Sequence, residues 1–165
     1  MAEKIFITLG SQKFQFNRLL IAVDKLCEKN IICGDDVFAQ TGYSDYVPRN
    51  FSYNNFLDRE EFSVEMGKAD IVITHGGTGA IIGAVKKGKK VIAVPRRAKY
   101  GEHVDDHQLQ LVGQFKELDL ICECDDTNEL ADAIEKVKYT KYAVYKSNTE
   151  QILNSIEKYI KTLKD

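Results

Sequence analysis

The sequence lacks any apolar run that approaches the ~20 residues of a transmembrane helix. Its 165 residues carry a formal net charge of only -2, which argues against a general nucleic-acid binder. The opening residues, MAEKIFITLG, lead directly into a strand-like run, so we expect no secretory signal. These absences predict a single cytoplasmic domain over residues 1–165, with no nucleic-acid partner.

Cysteine is scarce, and its spacing does not indicate a metal site. Cys27, Cys33, Cys122 and Cys124 form no C-x-x-C pair. We interpret them as buried, reduced thiols, and the alternation of Cys122 and Cys124 places both on one face of a predicted strand. No Asp-x-Asp pair is present either. We therefore expect neither a metal ion nor a cofactor.

Strand-like and helix-like segments alternate along the whole chain. The predicted strands are residues 4–10, 35–42, 50–56, 70–75, 90–95 and 120–124. The predicted helices are residues 17–29, 58–69, 78–88, 105–118, 126–137 and, at the C-terminus, about 142–163. Because the strands are continuous apolar runs rather than apolar–polar alternations, they indicate a parallel sheet covered on both faces. The fold prediction is an α/β, Rossmann-like, doubly wound parallel sheet.

Local signals mark several helix ends. Asn17 is a plausible N-cap, Asp58 and Glu61 have the spacing of a capping box, and Gly88 suits the position after a helix. The C-terminal helix carries an apolar stripe at helical spacing. We interpret this stripe as core, with docking on a partner as the alternative. Its members are Ile152, Ile156, Tyr159, Ile160 and Leu163.

Open parallel sheets bind ligands at the carboxyl ends of their strands, near the point where the strand order reverses. Three segments of this sequence are expected to meet there. They are TLGSQKF after the first strand, THGGTG after the strand at 70–75, and RRAKYGEHVDDHQ after the strand at 90–95. We therefore look for the functional residues in these three segments.

The THGGTG segment suits a phosphate or diphosphate. Gly76, Gly77 and Gly79 let the backbone turn tightly and approach a ligand closely. The helix that follows points its free N–H groups and the positive end of its dipole at that ligand. Thr78 can cap the helix or donate its hydroxyl, and His75 can donate to a phosphate oxygen. The alternative is that His75 bonds a neighbouring backbone group and the glycines serve only a tight turn.

The glycine spacing disfavours two common phosphate ligands. Gly77, Gly79 and Gly83 are spaced G-x-G-x-x-x-G, one residue longer than the dinucleotide fingerprint. That fingerprint also belongs after the first strand, where this chain has TLGSQ. No Walker A pattern is present. NAD and ATP are therefore poorly supported.

The segment HGGTGAIIGAVKKGKKVIAVPRRAKYGEHVDDHQ resembles the donor-binding half of glycosyltransferase family 28. With the opening IFITLGSQKFQFNRLL, the whole chain more closely resembles small bacterial polysaccharide and capsule glycosyltransferase subunits. These are relatives of the catalytic subunit of the two-component dolichol-pathway N-acetylglucosaminyltransferase. The resemblance implies the C-terminal half of a two-domain GT-B enzyme with a UDP-sugar as donor substrate. It also implies inverting, metal-independent transfer of a hexose-type sugar.

The resemblance assigns roles to individual positions. Asp106 and Gln108 match an acid-and-amide pair that bonds the hydroxyls of the donor sugar, and Gly83 stands where relatives often have a ribose-binding glutamate. His75 and His103 are the candidate catalytic residues. The further candidate substrate-binding residues are Gly10, Ser11 and Gln12 after the first strand, Gly76, Gly77, Thr78 and Gly79 around the diphosphate, and Arg96, Glu102 and His107 in or beside the last loop.

The resemblance further implies a separate partner that supplies the acceptor-binding domain. We expect that partner to be membrane-associated, to bind a lipid-linked sugar acceptor, and to hold this chain at the cytoplasmic face. The seven basic residues between positions 86 and 99 either favour an anionic acceptor or form a solvated surface. Three other functions stay open: a non-catalytic nucleotide-sugar-binding module, a nucleotide-sugar hydrolase and an NAD-dependent oxidoreductase.

Overall fold

A computed structural model describes residues 2–147, 156–158 and 160–163. Six strands form one sheet in the order β3-β2-β1-β4-β5-β6, and every neighbouring pair is parallel. This order confirms the doubly wound prediction, because the chain starts at the centre and adds strands outward on each side. The strands are β1 (Ile5–Thr8), β2 (Val37–Gln40), β3 (Ser52–Asn54), β4 (Ile71–His75), β5 (Lys90–Val94) and β6 (Cys122–Glu123).

Five helices in the described ranges cover the sheet. They are α1 (Asn17–Glu28), α2 (Arg59–Lys68), α3 (Thr78–Lys86), α4 (His107–Glu117) and α5 (Leu130–Tyr139). Helices α1 and α5 pack on one face through side chains such as Leu20 and Ile134. Helices α2, α3 and α4 pack on the other face through Met66, Ile81 and Val112. The two faces therefore each have their own apolar core.

The central strands β1, β4 and β5 are largely apolar because both of their faces are buried, whereas the edge strand β3 is polar and mostly exposed. Along β1, Ile5 and Ile7 belong to the core under α1 and α5, whereas Phe6 belongs to the core under α2, α3 and α4. Successive side chains of a strand point to opposite faces. Thr8 consequently shares the α2–α3 side with Phe6, as Gln40 of β2 shares it with Phe38.

The helix-end predictions have mixed outcomes. The capping box of α2 is confirmed, with Glu61 N donating to Asp58 Oδ1 at 2.8 Å and Asp58 N donating to Glu61 Oε2 at 3.0 Å. Gly88 follows α3 with a φ of +72°, as its position predicted. The cap predicted at Asn17 is wrong. Asn17 is the first residue of α1, and its own N–H donates to the side chain of Gln15 at 2.8 Å.

The cysteine interpretation is confirmed at three positions and wrong at one. Cys27, Cys122 and Cys124 are free and buried, and Cys122 and Cys124 lie in the same core, as strand alternation predicted. Cys33 is free but exposed, because it lies just before the short turn Gly34–Asp36 that leads into β2.

The predicted C-terminal helix is confirmed only in part. Residues 141–147 have no regular secondary structure, residues 156–158 and 160–162 are helical, and residues 148–155 and 159 lie outside the described residues. Ile152 and Tyr159 of the stripe fall among those. Ile156, Ile160 and Leu163 are exposed, so the interpretation of the stripe as core is wrong for its described members.

The connection between β2 and β3 is anchored to α1 by one buried carboxylate. Asp24 accepts hydrogen bonds from the Tyr46 hydroxyl at 2.6 Å, from Arg49 N at 3.0 Å, and from Asn50 N and Nδ2 at 2.9 and 3.0 Å. Burial raises the pKa of Asp24, but the hydrogen bonds from Tyr46, Arg49 and Asn50 outweigh it and leave that pKa below 3.8. The carboxylate therefore stays charged and fixes the loop.

Candidate functional site

The strand order reverses between β1 and β4, whose carboxyl ends lie side by side. The loop after β1 carries Gly10, β4 ends at His75, and β5 leads into the loop that starts at Arg96. The structure thus brings together the three segments that the sequence analysis singled out. At their meeting point the imidazole of His75 lies against Gly10.

His75 is 9% exposed and its Nδ1 atom is fully engaged. Gly77 N donates to Nδ1 at 3.0 Å, and Gln108 Nε2 lies 3.2 Å from the same atom. Gln108 Oε1 accepts from Gly76 N at 3.0 Å and from Arg96 N at 3.1 Å, so its amide nitrogen is the group that faces His75. Nδ1 is therefore an acceptor, and the ring proton resides on Nε2.

The same environment keeps His75 neutral. Burial lowers its pKa to about 4, and the positive charge of Arg96 and the proximity of His103 act in the same direction. A neutral imidazole with its proton on Nε2 is a hydrogen-bond donor on the side that faces Gly10. The alternative that His75 bonds a neighbouring backbone group is correct for Nδ1, and Nε2 is left as a donor.

Three glycines are required by close packing around His75 and Gln108. A Cβ on Gly10, whose φ is +73°, would lie 2.9 Å from His75 Nε2, and a Cβ on Gly77 would overlap the same ring. A Cβ on Gly76 would lie 2.7 Å from Gln108 Cβ. These glycines therefore do more than turn the chain: they let the imidazole and α4 approach the backbone.

The remaining residues of the glycine loop face outward. Thr78 and Gly79 form the exposed first turn of α3, and Ser11 and Gln12 are exposed opposite them. The predicted cap by Thr78 is wrong, because α3 begins after Gly77 and no side chain caps it. The uncapped first-turn N–H groups of α3 remain available as donors, which is the arrangement predicted for an anion site.

Arg96 is 1% exposed and binds backbone carbonyls. Its Nη2 donates to Leu9 O at 2.6 Å, and its Nη1 donates to Phe14 O, Gln15 O and Glu102 O at 3.1–3.2 Å. The Arg96 guanidinium also lies over the ring of Phe16. This geometry joins the loops after β1 and β5 and places the charge beneath them. The predicted contact of Arg96 with the ligand stays a prediction, and in this arrangement the residue acts by positioning.

The carboxylate of Glu102 is likewise hydrogen-bonded to other groups of the protein. It is 0% exposed and accepts from Arg18 Nε at 2.9 Å and from Arg97 N at 2.9 Å. It thereby ties the last loop to α1, and its predicted reach to the sugar or diphosphate stays untested. Gln108 is also buried, where its amide orders the glycine loop.

His103, Asp106 and His107 lie on the outer side of the same edge. The His103 ring packs near Phe14, and its Nδ1 lies 3.3 Å from Asp105 Oδ1. Asp106 is half exposed and accepts from Ala98 N at 2.9 Å. His107 is exposed at the start of α4. No contact among the described residues joins these side chains to His75, although His103 contributes to lowering the pKa of His75.

The basic segment between positions 86 and 99 does not form one surface. Lys89 Nζ donates to the carbonyls of Gly67 and Ala69, and Lys90 Nζ donates to Lys138 O, at the amino end of β5. Arg97 lies at the opposite end of that strand and is paired with Asp125. Lys89 and Lys90 therefore do not converge on the carboxyl edge with the arginines.

The structure adds site features that the sequence analysis missed. Tyr43 and Phe56 are exposed and form an edge-to-face ring pair, with centroids 5.2 Å apart, on the loops after β2 and β3. A groove of about 320 Å³ runs between α2 and α3 and is lined by Thr8, Gln40 and Gly83, among others. Strand order brings Gln40, Tyr43 and Phe56 to the same edge of the sheet as Gly10, so no local motif could have identified these three residues.

None of the helices within the described ranges is long and apolar enough to cross a membrane. Within the same ranges, no group of three or more His, Cys, Asp or Glu side chains is placed to hold a metal ion.

Comparison with known proteins identifies relatives of this arrangement. The model of the glycosyltransferase family 28 C-terminal domain matches residues 4–163. The UDP-N-acetylglucosamine transferase subunit ALG13 of Homo sapiens is 30% identical over 117 residues, which are 67% of this chain and 10% of the human protein. The protein of the same name from Candida glabrata is 28% identical over 139 residues, 80% of this chain and 64% of its own length. The chain thus spans a tenth of the human relative and under two thirds of the yeast one.

Solved structures share the fold. An NMR solution structure of ALG13 aligns with a TM-score of 0.60 at 18% identity, over 88% of this chain and 90% of that one. Two crystallised glycosyltransferases align over 82–84% of this chain with TM-scores of 0.58–0.59, but over only 34–35% of their own lengths. The fold is therefore that of one part of those larger enzymes, as predicted for the donor-binding half of a GT-B protein.

Proposed function

Because the chain belongs to the glycosyltransferase family 28 C-terminal domain family, we propose that it is the donor-binding, catalytic subunit of a two-component glycosyltransferase. Its donor substrate is a UDP-sugar, and its acceptor is a lipid-linked sugar in polysaccharide biosynthesis. The observation that carries this proposal is the neutral His75, whose Nε2–H faces Gly10 beside the uncapped start of α3.

The chemistry follows from where charge develops. In an inverting transfer the acceptor hydroxyl attacks the anomeric carbon, and negative charge builds on the leaving UDP. The first-turn N–H groups of α3 and the Nε2–H of His75 are donors that need no reorganisation to meet that charge. Electrostatic stabilisation by fixed donors makes a metal ion unnecessary, and we propose metal-independent transfer for that reason. His103, or a residue of the partner, is the candidate general base.

A partner subunit completes the proposal. The relatives from Homo sapiens and Candida glabrata are named as subunits of a UDP-N-acetylglucosamine transferase. In this chain, the exposed Tyr43, Phe56 and Val104 lie on loops at the carboxyl edge, and Ile156 and Ile160 are exposed near the C-terminus. Exposed apolar side chains of this kind suit an interface. We propose a membrane-associated partner that binds the acceptor and holds this chain at the cytoplasmic face.

Calorimetric titration of the full chain with UDP, GDP and NAD tests the donor site. We expect UDP to bind and the His75→Ala variant to lose at least tenfold in affinity, which corresponds to one charge-assisted hydrogen bond. Tyr139→Ala, which removes an exposed ring from the end of α5, is the control and is expected to bind like the wild type. Preferential NAD binding would instead favour an oxidoreductase.

A second experiment separates transfer from binding and from hydrolysis. The chain is incubated with a radiolabelled UDP-sugar, with and without membranes of its source cells. Transfer predicts label in the lipid extract only when membranes are present. Release of free sugar by the isolated chain would favour a hydrolase. Binding without turnover in either case would favour a non-catalytic module.

A further inference from the structure

Asp106 stands at the N-cap position of α4 but does not cap the helix. Aspartate is favoured at this position, because its carboxylate accepts from the free N–H groups of the first turn. In this structure no side chain caps α4, and Asp106 Oδ1 instead accepts from Ala98 N at 2.9 Å. The carboxylate is therefore turned away from its own helix and toward the loop that follows β5. Helix capping does not account for its orientation.

Arg97 faces the same carboxylate oxygen from that loop. Its Nε lies 3.6 Å from Asp106 Oδ1, so the two groups form an ion pair but not a hydrogen bond. Arg97 Nε is buried and has no hydrogen-bond partner among the described residues. Buried polar groups are normally hydrogen-bonded, and an unpaired one in a folded protein needs a specific reason. Here the guanidinium lies where its charge acts on Asp106, although its own Nε–H stays unpaired.

Asp125 fixes the guanidinium in that place. Arg97 Nη1 donates to Asp125 Oδ1 and Oδ2, both at 3.0 Å, and Arg97 N donates to the buried Glu102 at 2.9 Å. Asp125 lies just after β6, the neighbour of β5 in the sheet. The ion pairs thus connect the carboxyl ends of β5 and β6 to the start of α4. Because its side chain and its backbone are both anchored, Arg97 presents a fixed charge to Asp106.

The carboxylate of Asp106 keeps one oxygen for a ligand. Its contacts with the described residues are all made through Oδ1, and its side chain is 49% exposed. Two residues later, Gln108 accepts from Gly76 N, so the start of α4 adjoins the glycine loop. A carboxylate oxygen accepts hydrogen bonds and donates none, so it recognises hydroxyl or N–H groups. A sugar joined to a diphosphate at the glycine loop presents such groups.

We propose that Arg97 is a positioning residue for sugar recognition. Locked by Asp125, it holds Asp106 off the α4 cap and keeps Oδ2 available to hydroxyl groups of the transferred sugar. This inference rests on the proposed function and deepens it, because it assigns recognition of the sugar to an ion-paired set of residues. Arg97 itself touches no ligand in this arrangement. Its loss therefore weakens binding of the UDP-sugar and not of UDP, whereas loss of a merely structural residue weakens both.

Calorimetric titration of the full chain separates these two cases. The ligands are UDP, UDP-glucose, UDP-galactose, UDP-glucuronate and UDP-N-acetylglucosamine. In Arg97→Gln, the UDP-sugar that the wild type binds most tightly is expected to lose about fivefold or more in affinity. UDP itself is expected to stay within about twofold of the wild-type affinity. Equal losses for UDP and the UDP-sugar, or no loss for either, overturn the inference.

The matched control is Lys116→Gln. Lys116 also joins α4 to β6, through an ion pair of 3.3 Å with Glu123, but it lies at the far end of α4 from Asp106. This variant is expected to leave both affinities unchanged. Asp106→Ala is expected to weaken UDP-sugar binding as Arg97→Gln does, and the double variant to lose no more than Asp106→Ala alone. Additive losses in the double variant would contradict action through Asp106.

Amide hydrogen exchange gives a second readout that needs no ligand. In Arg97→Gln the released Asp106 carboxylate is expected to cap α4, and exchange of the first-turn Gln108 N–H is expected to slow about threefold or more. Lys116→Gln is expected to leave that rate unchanged. An unchanged rate in Arg97→Gln would overturn the role of Arg97, as would a wild type that binds UDP but none of the four UDP-sugars. Absence of UDP binding by the wild type would overturn the proposed function itself.

Discussion

The side-chain amide of Gln108 determines which nitrogen of His75 carries the proton. Its oxygen is held by the N–H groups of Gly76 and Arg96, so its nitrogen must point at His75 Nδ1, 3.2 Å away. Gln108 on α4 thereby fixes the ring proton of His75, at the end of β4, on Nε2. The amide that resembles a sugar contact in the sequence is, in the structure, first a positioning group for the imidazole.

Replacing this amide by a carboxylate is expected to reverse the charge state of His75. In Gln108→Glu, one oxygen still accepts from Gly76 N and Arg96 N, and the other faces Nδ1. A carboxylate at that distance favours the imidazolium, so we expect the His75 pKa to rise from about 4 to above 6.5. NMR titration of the three histidine rings measures it.

The matched control for that titration is Gln110→Glu, which adds a carboxylate to an exposed position of the same helix. It is expected to leave the His75 pKa near 4. A His75 ring that still titrates near 4 in Gln108→Glu would contradict the assigned network.

The depressed pKa of His75 makes stability depend on pH in a defined window. The unfolded chain takes up a proton near pH 6.5, whereas the folded chain does so only near pH 4. The stabilisation is therefore fully present above pH 6.5 and is lost as pH falls toward 4. Between pH 7 and pH 5 the wild type should lose about 2 kcal/mol that His75→Ala does not lose. Urea denaturation of both proteins at the two pH values gives this difference, and parallel losses would contradict it.

Arg96 is expected to be essential for stability. Arg96→Lys places a single ammonium where the guanidinium donates to four carbonyls, so several buried acceptors lose their partners. We expect a loss of about 2–4 kcal/mol in the free energy of unfolding. Arg97→Lys alters a more exposed pair with Asp125 and should cost about 1 kcal/mol or less. Equal effects in the two variants, measured by chemical denaturation, would refute the role of Arg96.

Asp24 offers a test away from the site. Asp24→Asn turns one of its acceptor oxygens into a donor that faces N–H and O–H groups, so we expect about 2–3 kcal/mol of destabilisation. Asp45→Asn, at an exposed carboxylate that accepts only from Asn17 Nδ2 among the described residues, is the comparison and should have a smaller effect. Because the Asp24 pKa is lowered, its contribution is present above pH 3.8 and is lost as pH falls through the folded value. A wild-type protein whose stability equals that of Asp24→Asn at neutral pH would contradict this account.

Most of the fold could be predicted from sequence because its signals are local. Apolar runs such as 70–75, the capping box at Asp58 and the glycine at 88 each depend on neighbouring residues only. The cap predicted at Asn17 is wrong because its side chain bonds Asp45 and the backbone N–H of Tyr46, which are partners that only the folded chain brings close. The described stripe residues were misinterpreted as core, because periodicity shows amphipathicity but does not show what covers the apolar face.

The site was predictable as a location but not as a set of contacts. The glycine loop and its histidine stand together in the sequence, whereas Thr8, Gln40 and Gly83 meet only because β1 lies between β2 and β4. Residue type also misleads: Arg96 and Glu102 have charges suited to a ligand, yet both are enclosed by backbone groups or by other side chains. Side-chain direction, which the sequence does not encode locally, decides between the two roles.

The four hydrogen bonds of Arg96 determine which loop positions can change in sequence. Its acceptors are main-chain oxygens of Leu9, Phe14, Gln15 and Glu102, so the anchor depends on the path of the loops and not on the chemistry of their tips. An exposed side chain such as that of Val104 is free to change without loosening it. Substitutions at the loop tips could therefore change which acceptor is bound while the proposed donor site stays intact.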